Sequence, residues 1–285
     1  MLIATPPTQA DPHFAVPMQI ADRLNTRIRG SGERTLLFAH GFCSTQEVFD
    51  RQVEAFAPHY RTVTFDLAGF GASHPSSWHP ERHSALEGYA ADLVDLIDAL
   101  DLQRITLVGA SMSAMTGLMA SVARPERFEG LVFVSGSPRY LNGDGYFGGF
   151  DRESLDGFYA LVGGSVYWRK AVTDMLLNLQ GAETLEDVAR SVDCTRTEVA
   201  YTAARAIFES DCRCWLARAR HPVLVTQTRA DEAVPEAVGH YLAQALPDAQ
   251  LAFLPGRGHL PMRTQPEALN ALLSAFLERT APRAG

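Results

Sequence analysis

Short apolar runs recur along the chain and are separated by segments with helical periodicity. The runs are rich in β-branched and aromatic residues and lie at positions 35–39, 62–65, 105–108, 131–134, 223–226 and 251–254. Runs of this length without polar alternation are typical of strands that are buried on both faces. The sequence therefore predicts an α/β fold with a mostly parallel central sheet and helices on both faces.

Two helix boundaries are indicated by local signals. Ser84 and Glu87 have the spacing of a capping box, and the apolar positions that follow them fall on one helix face. A second helix follows Ser111. It is expected to end near Arg124, because Pro125 disfavours helical continuation at the residue before it.

The alternation of strands and helices stops between residues 137 and 220. No convincing strand pattern occurs there, whereas helical patterns occupy residues 166–179, 184–192 and 196–209. We interpret this all-helical insertion between two core strands as a lid. The sequence thus predicts three parts, which are a loosely ordered, Pro-rich arm at residues 1–20, a core at residues 21–136 and 221–285, and a lid at residues 137–220.

Aromatic residues are concentrated in the first part of the predicted lid, where residues 140–168 contain eight of them. Most of them are expected to serve ordinary helix packing, yet the concentration favours an apolar ligand pocket beneath the lid. The predicted pocket residues are Phe42, Tyr140, Phe147, Phe158, Tyr159, Trp168 and Phe208.

A serine stands where one apolar run gives way to a helical pattern. Ser111 follows the run at 105–108 in a turn of small residues, a setting that projects a nucleophilic hydroxyl from the sheet. Asp231 follows another apolar run, and His259 lies in a Gly- and Pro-flanked loop after the last one. Ligands bind at the carboxyl ends of the strands in such sheets. The order Ser, Asp, His is that of the α/β-hydrolase triad, in which the histidine activates the serine.

Two other acids compete with Asp231 for the position beside the histidine. Asp66 lies in an earlier strand-end loop, and Asp211 lies where the predicted lid returns to the core. Both are weaker candidates, because neither has the same context after a core strand in the second half of the chain.

Backbone amides are candidates for stabilising a developing oxyanion. The N–H of Phe42 follows the strand at 35–39, and the N–H of Met112 follows the candidate nucleophile. One such donor contributes roughly 3 kcal/mol to transition-state stabilisation.

Net charge and cysteine content limit the possible binding partners and the possible cellular compartment of the protein. The net charge is −8, Lys170 is the only lysine, and no basic cluster occurs, so neither nucleic acid nor an anionic membrane is an expected partner. The N-terminus lacks signal-peptide features, and no apolar stretch is long enough to span a bilayer. The four irregularly spaced cysteines are typical of reduced thiols, which predicts a cytoplasmic location.

No metal or cofactor is predicted. Cys212 and Cys214 lack a second Cys/His pair at zinc-finger spacing. Gly69 and Gly71 form only part of a dinucleotide-binding fingerprint and lack its strand–helix context.

Eight short motifs extend across the chain, namely His40-Gly41-Phe42, Phe65-Asp66-Leu67-Ala68-Gly69-Phe70-Gly71, Ser111-Met112-Ser113-Ala114-Met115, Ser137-Pro138-Arg139-Tyr140-Leu141-Asn142, Tyr146-Phe147-Gly148-Gly149-Phe150, Ile207-Phe208-Glu209-Ser210-Asp211, Ala233-Val234-Pro235 and Gly258-His259-Leu260-Pro261. Together they resemble the RsbQ-like α/β-hydrolases, which comprise a bacterial stress-response regulator and its plant relatives, the karrikin and strigolactone receptors. The resemblance covers about residues 24–280 and includes the predicted lid.

This resemblance implies a core sheet with a four-helix lid and a triad of Ser111, Asp231 and His259. It also implies slow hydrolysis of small apolar esters or enol-ether lactones, and a signalling role. The bacterial member of the family works with a PAS-domain phosphatase that activates a stress sigma factor. Two residues depart from the family pattern: Ala110 replaces a usual His before the nucleophile, and Cys43 replaces a usual Gly beside the oxyanion turn.

Two functions are consistent with these features. The first is a serine hydrolase acting on a small hydrophobic ester or lactone. The second is a ligand sensor whose main output is contact with a regulatory protein, such as a PAS-domain phosphatase. The second rests on family resemblance alone, which is weaker support than the site chemistry.

Overall fold

Seven strands form one sheet in the computed structural model, which describes residues 18–143, 145–177 and 185–281. The strands are β1 (Arg27–Arg29), β2 (Thr35–Ala39), β3 (Arg61–Phe65), β4 (Ile105–Ala110), β5 (Phe128–Val134), β6 (Val223–Ala230) and β7 (Ala249–Arg257). Their spatial order is β1-β3-β2-β4-β5-β6-β7, and every neighbouring pair is parallel except β1 with β3. The predicted α/β fold with a mostly parallel sheet is confirmed.

Each of the six predicted runs lies within one of the strands β2 to β7. The strands β2 and β4 are buried at every position, which explains their continuous apolar character. The strand β1 was not predicted. Its three residues, Arg27, Ile28 and Arg29, are all exposed at the edge of the sheet, so the strand carries no apolar run.

Twelve helices occur in the described residues. They are α1 (Ile20–Arg23), α2 (Asp50–Phe56), α3 (Leu86–Ala99), α4 (Met112–Ala123), α5 (Arg152–Gly164), α6 (Trp168–Leu177), α7 (Leu185–Cys194), α8 (Thr197–Phe208), α9 (Arg213–Leu216), α10 (Glu236–Ala245), α11 (Pro261–Thr264) and α12 (Pro266–Arg279). No helix among the described residues combines the length and the apolar character that crossing a bilayer requires.

The helices α4 and α12 cover opposite faces of the sheet. A Cβ at Gly117 of α4 would lie 2.3 Å from the Leu107 side chain of β4, and a Cβ at Gly130 of β5 would lie 2.8 Å from the ring of Phe276 in α12. Leu107 pairs with Leu131, so Leu107 and Gly130 point to opposite faces, because side chains alternate along a strand. Glycine at both positions allows the helices to approach the sheet closely.

The capping box predicted at Ser84 is wrong. The helix α3 begins at Leu86 with Ala85 as its N-cap, and no side chain caps it. Ser84 instead ends a short 3-10 turn, and its hydroxyl donates to the carbonyl of Glu81. The expected end of α4 near Arg124 agrees with the observed C-cap at that residue.

The helices α5 to α8 lie between β5 and β6, and the described residues of this segment contain isolated bridges but no strand. The helix α5 has no counterpart among the predicted patterns, because three glycines lower its helical signal. Its N-cap is the Asp151 side chain, which accepts from the N–H of Ser154 at 2.8 Å. Parts of the predictions lie outside the described residues, namely 1–17 of the arm, 144 and 178–184 of the lid with its helical patterns, and 282–285 of the core.

Two Gly→Ala substitutions within helices should have opposite effects on stability. We expect Gly117→Ala to lower the free energy of unfolding by about 1–2 kcal/mol, because the new methyl group would overpack against Leu107 in the core. Gly157→Ala in α5 should raise it by about 0.5–1 kcal/mol, because its Cβ would meet no atom within 4 Å and alanine favours the helix. Urea denaturation of both variants measures the difference, and stabilisation by both would contradict the packing described for α4.

Candidate active site

Ser111 occupies a strained turn between β4 and α4. Its φ of 54° and ψ of −120° lie outside the regions that residues with a Cβ readily adopt. Its N–H donates to the carbonyl of Val134 on β5 at 2.8 Å, and its carbonyl accepts from the N–H of Ala114 at 3.0 Å. These bonds hold the serine at the carboxyl end of β4, which is the sharp strand-to-helix turn that the sequence predicts.

Small residues let the chain approach Ser111 from two sides. A Cβ at Gly109 would lie 2.3 Å from the carbonyl oxygen of Ser113, and a Cβ at Gly41 would lie 3.0 Å from the Cβ of Ser111. Ser113 stands where a second glycine is usual in a Gly-x-Ser-x-Gly turn. Its hydroxyl donates to the carbonyl of His40 and so joins the nucleophile turn to the loop after β2.

His40 has a structural role that the sequence analysis did not identify. The ring is fully buried, and its Nε2 accepts from the N–H of Leu67 at 2.9 Å. The ring proton therefore lies on Nδ1, which donates to the carbonyl of Gly41 at 2.8 Å. Burial lowers the pKa of His40 and favours this neutral form. A histidine directly after a buried strand was the available signal, and its partner on the next loop could not be read from the sequence.

The two predicted oxyanion donors lie on either side of this junction. Phe42 follows Gly41, whose Cα faces Ser111, and Met112 follows Ser111 as the first residue of α4. Both residues are almost fully buried, and neither backbone N–H donates to another described residue. Buried amides without a protein partner are suited to binding an anionic oxygen.

Asp231 and His259 form a buried hydrogen-bonded pair. His259 Nδ1 lies 2.8 Å from Asp231 Oδ2, while the other carboxylate oxygen accepts from the N–H groups of Ala233 and Val234 at 2.9 and 3.2 Å. The Asp231 carboxylate therefore has a fixed orientation. A proton on Nδ1 leaves Nε2 of His259 as the basic nitrogen.

The loop that carries His259 is tied to two other segments. The Thr228 hydroxyl donates to the carbonyl of Gly258 at 2.7 Å, which anchors the loop to β6. The N–H of His259 donates to the carbonyl of Leu176 at 3.2 Å, which links the loop to helix α6. The position of the imidazole thus depends on the helical segment as well as on the sheet.

The rival acids have other partners. The Asp66 carboxylate accepts from the Asn25 amide at 2.7 Å and from the N–H groups of Gln46 and Ala72 at 2.9 Å each, so it fastens three loops together. The Asp66 carboxylate lies 3.9 Å from Nε2 of His40, which is too far for a hydrogen bond. That nitrogen already accepts a hydrogen bond from the N–H of Leu67.

Asp211 is an ion-pairing residue near the surface. It pairs with the guanidinium groups of Arg213 and Arg139, at 2.6 and 2.5 Å. Hydrogen bonds from Arg213 are the main cause of a pKa well below the usual carboxyl range, and Arg139 adds to the effect. Of the three acids, Asp231 is thus the one bonded to a histidine at the carboxyl edge beside β6 and β7.

Tyr140 is the predicted pocket residue that contacts Ser111 directly. Its hydroxyl lies 3.3 Å from Ser111 Oγ, and the ring is buried. Burial raises the pKa of Tyr140, against the smaller opposing effect of the Ser111 hydrogen bond, so the phenol stays protonated. It can therefore donate a hydrogen bond to the nucleophile or to a bound ligand.

Aromatic rings surround Tyr140 on the side of the helical segment. The Phe208 ring lies 5.0 Å from Tyr140, 5.2 Å from Phe150 and 5.3 Å from Phe158, in each case edge to face. The Phe42 ring packs edge to face against Phe70, at 6.3 Å. The roles of Phe42, Tyr140, Phe158 and Phe208 in a ligand pocket stay predictions, and Phe150, which packs among them, was not one of the predicted pocket residues.

The prediction for Phe147 is wrong. Its side chain is 57% exposed, whereas that of the preceding Tyr146 is buried. The Tyr146 ring packs edge to face on Tyr241 at 4.9 Å, and its hydroxyl donates to the carbonyl of Arg139. Phe147 therefore projects from the surface.

Tyr159 and Trp168 are buried, but their described contacts lie within the helical segment. The Tyr159 ring packs on Phe158 and Tyr201, and it lines a cleft between α5 and α8. The Arg169 guanidinium lies 4.4 Å from the centre of the Trp168 ring. These contacts assign Tyr159 and Trp168 to helix packing, and their place in a substrate pocket stays a prediction.

A parallel sheet with a serine in its central strand-to-helix turn, and a buried Asp–His pair at the same edge, defines an α/β hydrolase. Comparison with known proteins agrees with this class. The family model described as alpha/beta hydrolase fold matches residues 34–264, and the chain belongs to this family.

Its relatives include plant proteins that are named for strigolactone or karrikin. A strigolactone esterase of Arabidopsis thaliana is 34% identical over 93% of this chain and 98% of its own length. A karrikin insensitive 2 receptor of Petunia hybrida is 35% identical, over 87% of this chain and 93% of its own length. The predicted resemblance to the plant branch is thereby confirmed, whereas the bacterial stress-response branch stays a prediction.

A solved structure resembles the chain over most of its length. A hydrolase from Oleispira antarctica superposes with a TM-score of 0.87 at 30% identity, and the match covers 91% of this chain and 96% of that one. The likeness extends through the core and the helical segment, since it leaves few residues uncovered.

Loss of the Asp66 carboxylate should destabilise the protein. We expect Asp66→Ala to lower the free energy of unfolding by about 2–4 kcal/mol, because one buried donor and two partly buried donors lose their acceptor. Asp211→Ala is the control, with an expected change of about 1 kcal/mol or less, since its ion pairs are partly exposed. Urea denaturation compares the two variants. An Asp66→Ala effect no larger than that of Asp211→Ala would show that the buried carboxylate does not fasten these loops.

Proposed function

We propose that the protein is a serine hydrolase that cleaves a small hydrophobic ester or lactone. Ser111 is the nucleophile, His259 is the general base and acid, and Asp231 orients His259. The observation that carries this proposal is the buried 2.8 Å hydrogen bond between Asp231 and His259 at the sheet edge where Ser111 occupies its strained turn. The proposed location is the cytoplasm, on the same grounds as the sequence prediction.

The reaction proceeds in two halves. Ser111 Oγ attacks the carbonyl carbon and transfers its proton to Nε2 of His259, and the N–H groups of Phe42 and Met112 stabilise the oxyanion. The alkoxide then leaves with the proton from His259, which gives an acyl-enzyme. A water molecule then attacks the acyl-enzyme by the same proton-transfer steps and releases the carboxylic acid. In a lactone, the alcohol and the acid remain in one molecule.

We further propose that residues 137–220 form a lid over this site and that its aromatic rings select an apolar substrate. The Tyr140 hydroxyl contacts Ser111, and the Phe208 ring packs on Tyr140. Phe42 directly follows Gly41, which lies close to Ser111. Apolar walls with few polar groups are typical of small-molecule sites. The name of the Arabidopsis relative, a strigolactone esterase, supports an ester or lactone as the substrate class.

Replacing the nucleophile should abolish hydrolysis. Purified wild-type protein is expected to turn over short-chain p-nitrophenyl esters. Ser111→Ala should lower kcat/KM by at least about 10³-fold, because removal of one triad member disables the whole unit. His259→Ala should have a comparable effect. His74→Ala, which changes an exposed histidine bonded only to Ser76, is the matched control and should leave activity unchanged. Full activity in a correctly folded Ser111→Ala variant would exclude Ser111 as the nucleophile.

A second proposal is that the protein is a ligand sensor in which hydrolysis is slow and a regulatory protein is the output. The observation in favour is that a relative of similar identity is named as a receptor rather than as an enzyme. The proposed partner class is a PAS-domain phosphatase. In such a sensor, hydrolysis by the triad would either produce the signalling form of the ligand or remove the ligand.

The two functions differ in turnover and in response to ligand. A sensor is expected to process an enol-ether lactone far below the ~1–10³ s⁻¹ typical of enzymes, and the lactone should shift the Tm of the Ser111→Ala variant. A purified PAS-domain phosphatase should then co-elute with the protein in a lactone-dependent manner. Rapid turnover of simple esters, with no lactone-dependent shift or co-elution, would leave the metabolic hydrolase as the function.

A further inference from the structure

The loop that carries the Phe42 N–H has a strained residue directly after it. Cys43 has a φ of 49°, in the left-handed region that favours glycine, and it is fully buried. Because Cys43 carries a side chain, its surroundings must hold the backbone in this conformation. The direction of the preceding Phe42 N–H depends on the same short turn.

Helix α7 supplies the contacts that hold Cys43. The Ser191 hydroxyl lies 2.9 Å from the carbonyl oxygen of Cys43, and the Thr195 hydroxyl, one turn later, donates to the carbonyl of Ser191. Burial raises the pKa of the Cys43 thiol, while a hydrogen bond with the Thr195 side chain and the charge of Arg169 oppose the rise. Burial also leaves Cys43 a packed thiol rather than a reactive one.

The same helix is tied to the histidine loop. Asp187 in its first turn pairs with Arg263 at 2.7 Å, and Arg263 lies four residues after His259. The cleft between α7 and these segments has a volume of about 20 Å³, and Ser191 and Arg263 both line it. The helix α7 thus contacts the loop of the proposed oxyanion donor and helix α11, which directly follows the loop of the proposed base.

The Ser191 hydroxyl has two acceptors. It lies 2.7 Å from the carbonyl of Val188, three residues earlier in the same helix, as well as 2.9 Å from that of Cys43. A hydroxyl has one hydrogen, so the two bonds share it or alternate. The bond to Val188 is one that helical serines make elsewhere: Ser121 of α4 bonds Leu118 in this way. The contact with Cys43 is what distinguishes Ser191.

We propose that Ser191 is a positioning residue for the oxyanion site, acting through the Cys43 carbonyl to fix the turn that aims the Phe42 N–H. This inference rests on the proposed hydrolase function. It makes helix α7 a part of the catalytic geometry as well as a cover for the pocket. Ser191 touches no reacting atom in this role, so its effect should appear in the transition state and not in substrate binding.

The test compares Ser191→Ala with two matched variants. Ser191→Thr keeps the hydroxyl, and Ser121→Ala removes only an intrahelical serine bond. The measurements are kcat and KM for a p-nitrophenyl ester, and inhibition by phenylboronic acid, whose tetrahedral adduct with the nucleophile places an oxygen in the oxyanion site. Thermal unfolding of each variant checks that it is folded. If Ser191→Ala is unstable, Ser191→Cys provides a weak donor of similar size.

We expect Ser191→Ala to lower kcat about tenfold with little change in KM, because complete loss of one oxyanion donor costs 10²–10³ and this change displaces a donor without removing it. Boronate inhibition should weaken by a similar factor, Ser191→Thr should retain activity, and Ser121→Ala should match wild type.

Three results would overturn the proposal. They are activity within twofold of wild type in folded Ser191→Ala, an effect on KM alone, and equal losses in Ser191→Ala and Ser121→Ala. Failure of wild-type hydrolysis, or its persistence in Ser111→Ala, would instead refute the proposed function, so the two kinds of failure are distinguishable.

Discussion

The left-handed backbone at Ser111 is the constraint on which the rest of the site depends. A residue with a Cβ adopts such a conformation at a cost of about 1–3 kcal/mol, so the surrounding packing must hold it. The hydrogen bond to Val134 and the close approach of Gly41 provide that packing. Every other feature of the site, from the oxyanion amides to the histidine loop, is arranged around the position that this turn fixes.

The loops at the carboxyl edge are joined by buried polar side chains that take no chemical part. His40 connects the loops after β2 and β3, Ser113 connects the nucleophile turn to the first of them, and Asp66 fastens further loops. Each bond satisfies a donor or acceptor that burial would otherwise leave unpaired at considerable cost. The proposed reacting groups are therefore few, while the residues that hold them are numerous and lie outside the proposed triad.

The helical segment between β5 and β6 takes part in this arrangement. The carbonyl of Leu176 in α6 accepts a hydrogen bond from the N–H of His259, and α7 contacts Cys43 and Arg263. A displacement of these helices would therefore act on the base and on the oxyanion loop together. These contacts physically connect the helical segment to the proposed base and to the proposed oxyanion loop.

The sequence by itself determined the layers of the fold and the candidates for chemistry. A strand buried on both faces must be apolar throughout, so six of the seven strands were predictable, while the exposed edge strand β1 left no such pattern. The context of Ser111, Asp231 and His259 likewise identified them as candidates. The tertiary structure decided which of the three candidate acids bonds His259 and that the Tyr140 hydroxyl approaches Ser111. Periodicity reports how a local segment is buried, whereas hydrogen-bond partners such as those of Asp66 come from segments far apart in the chain.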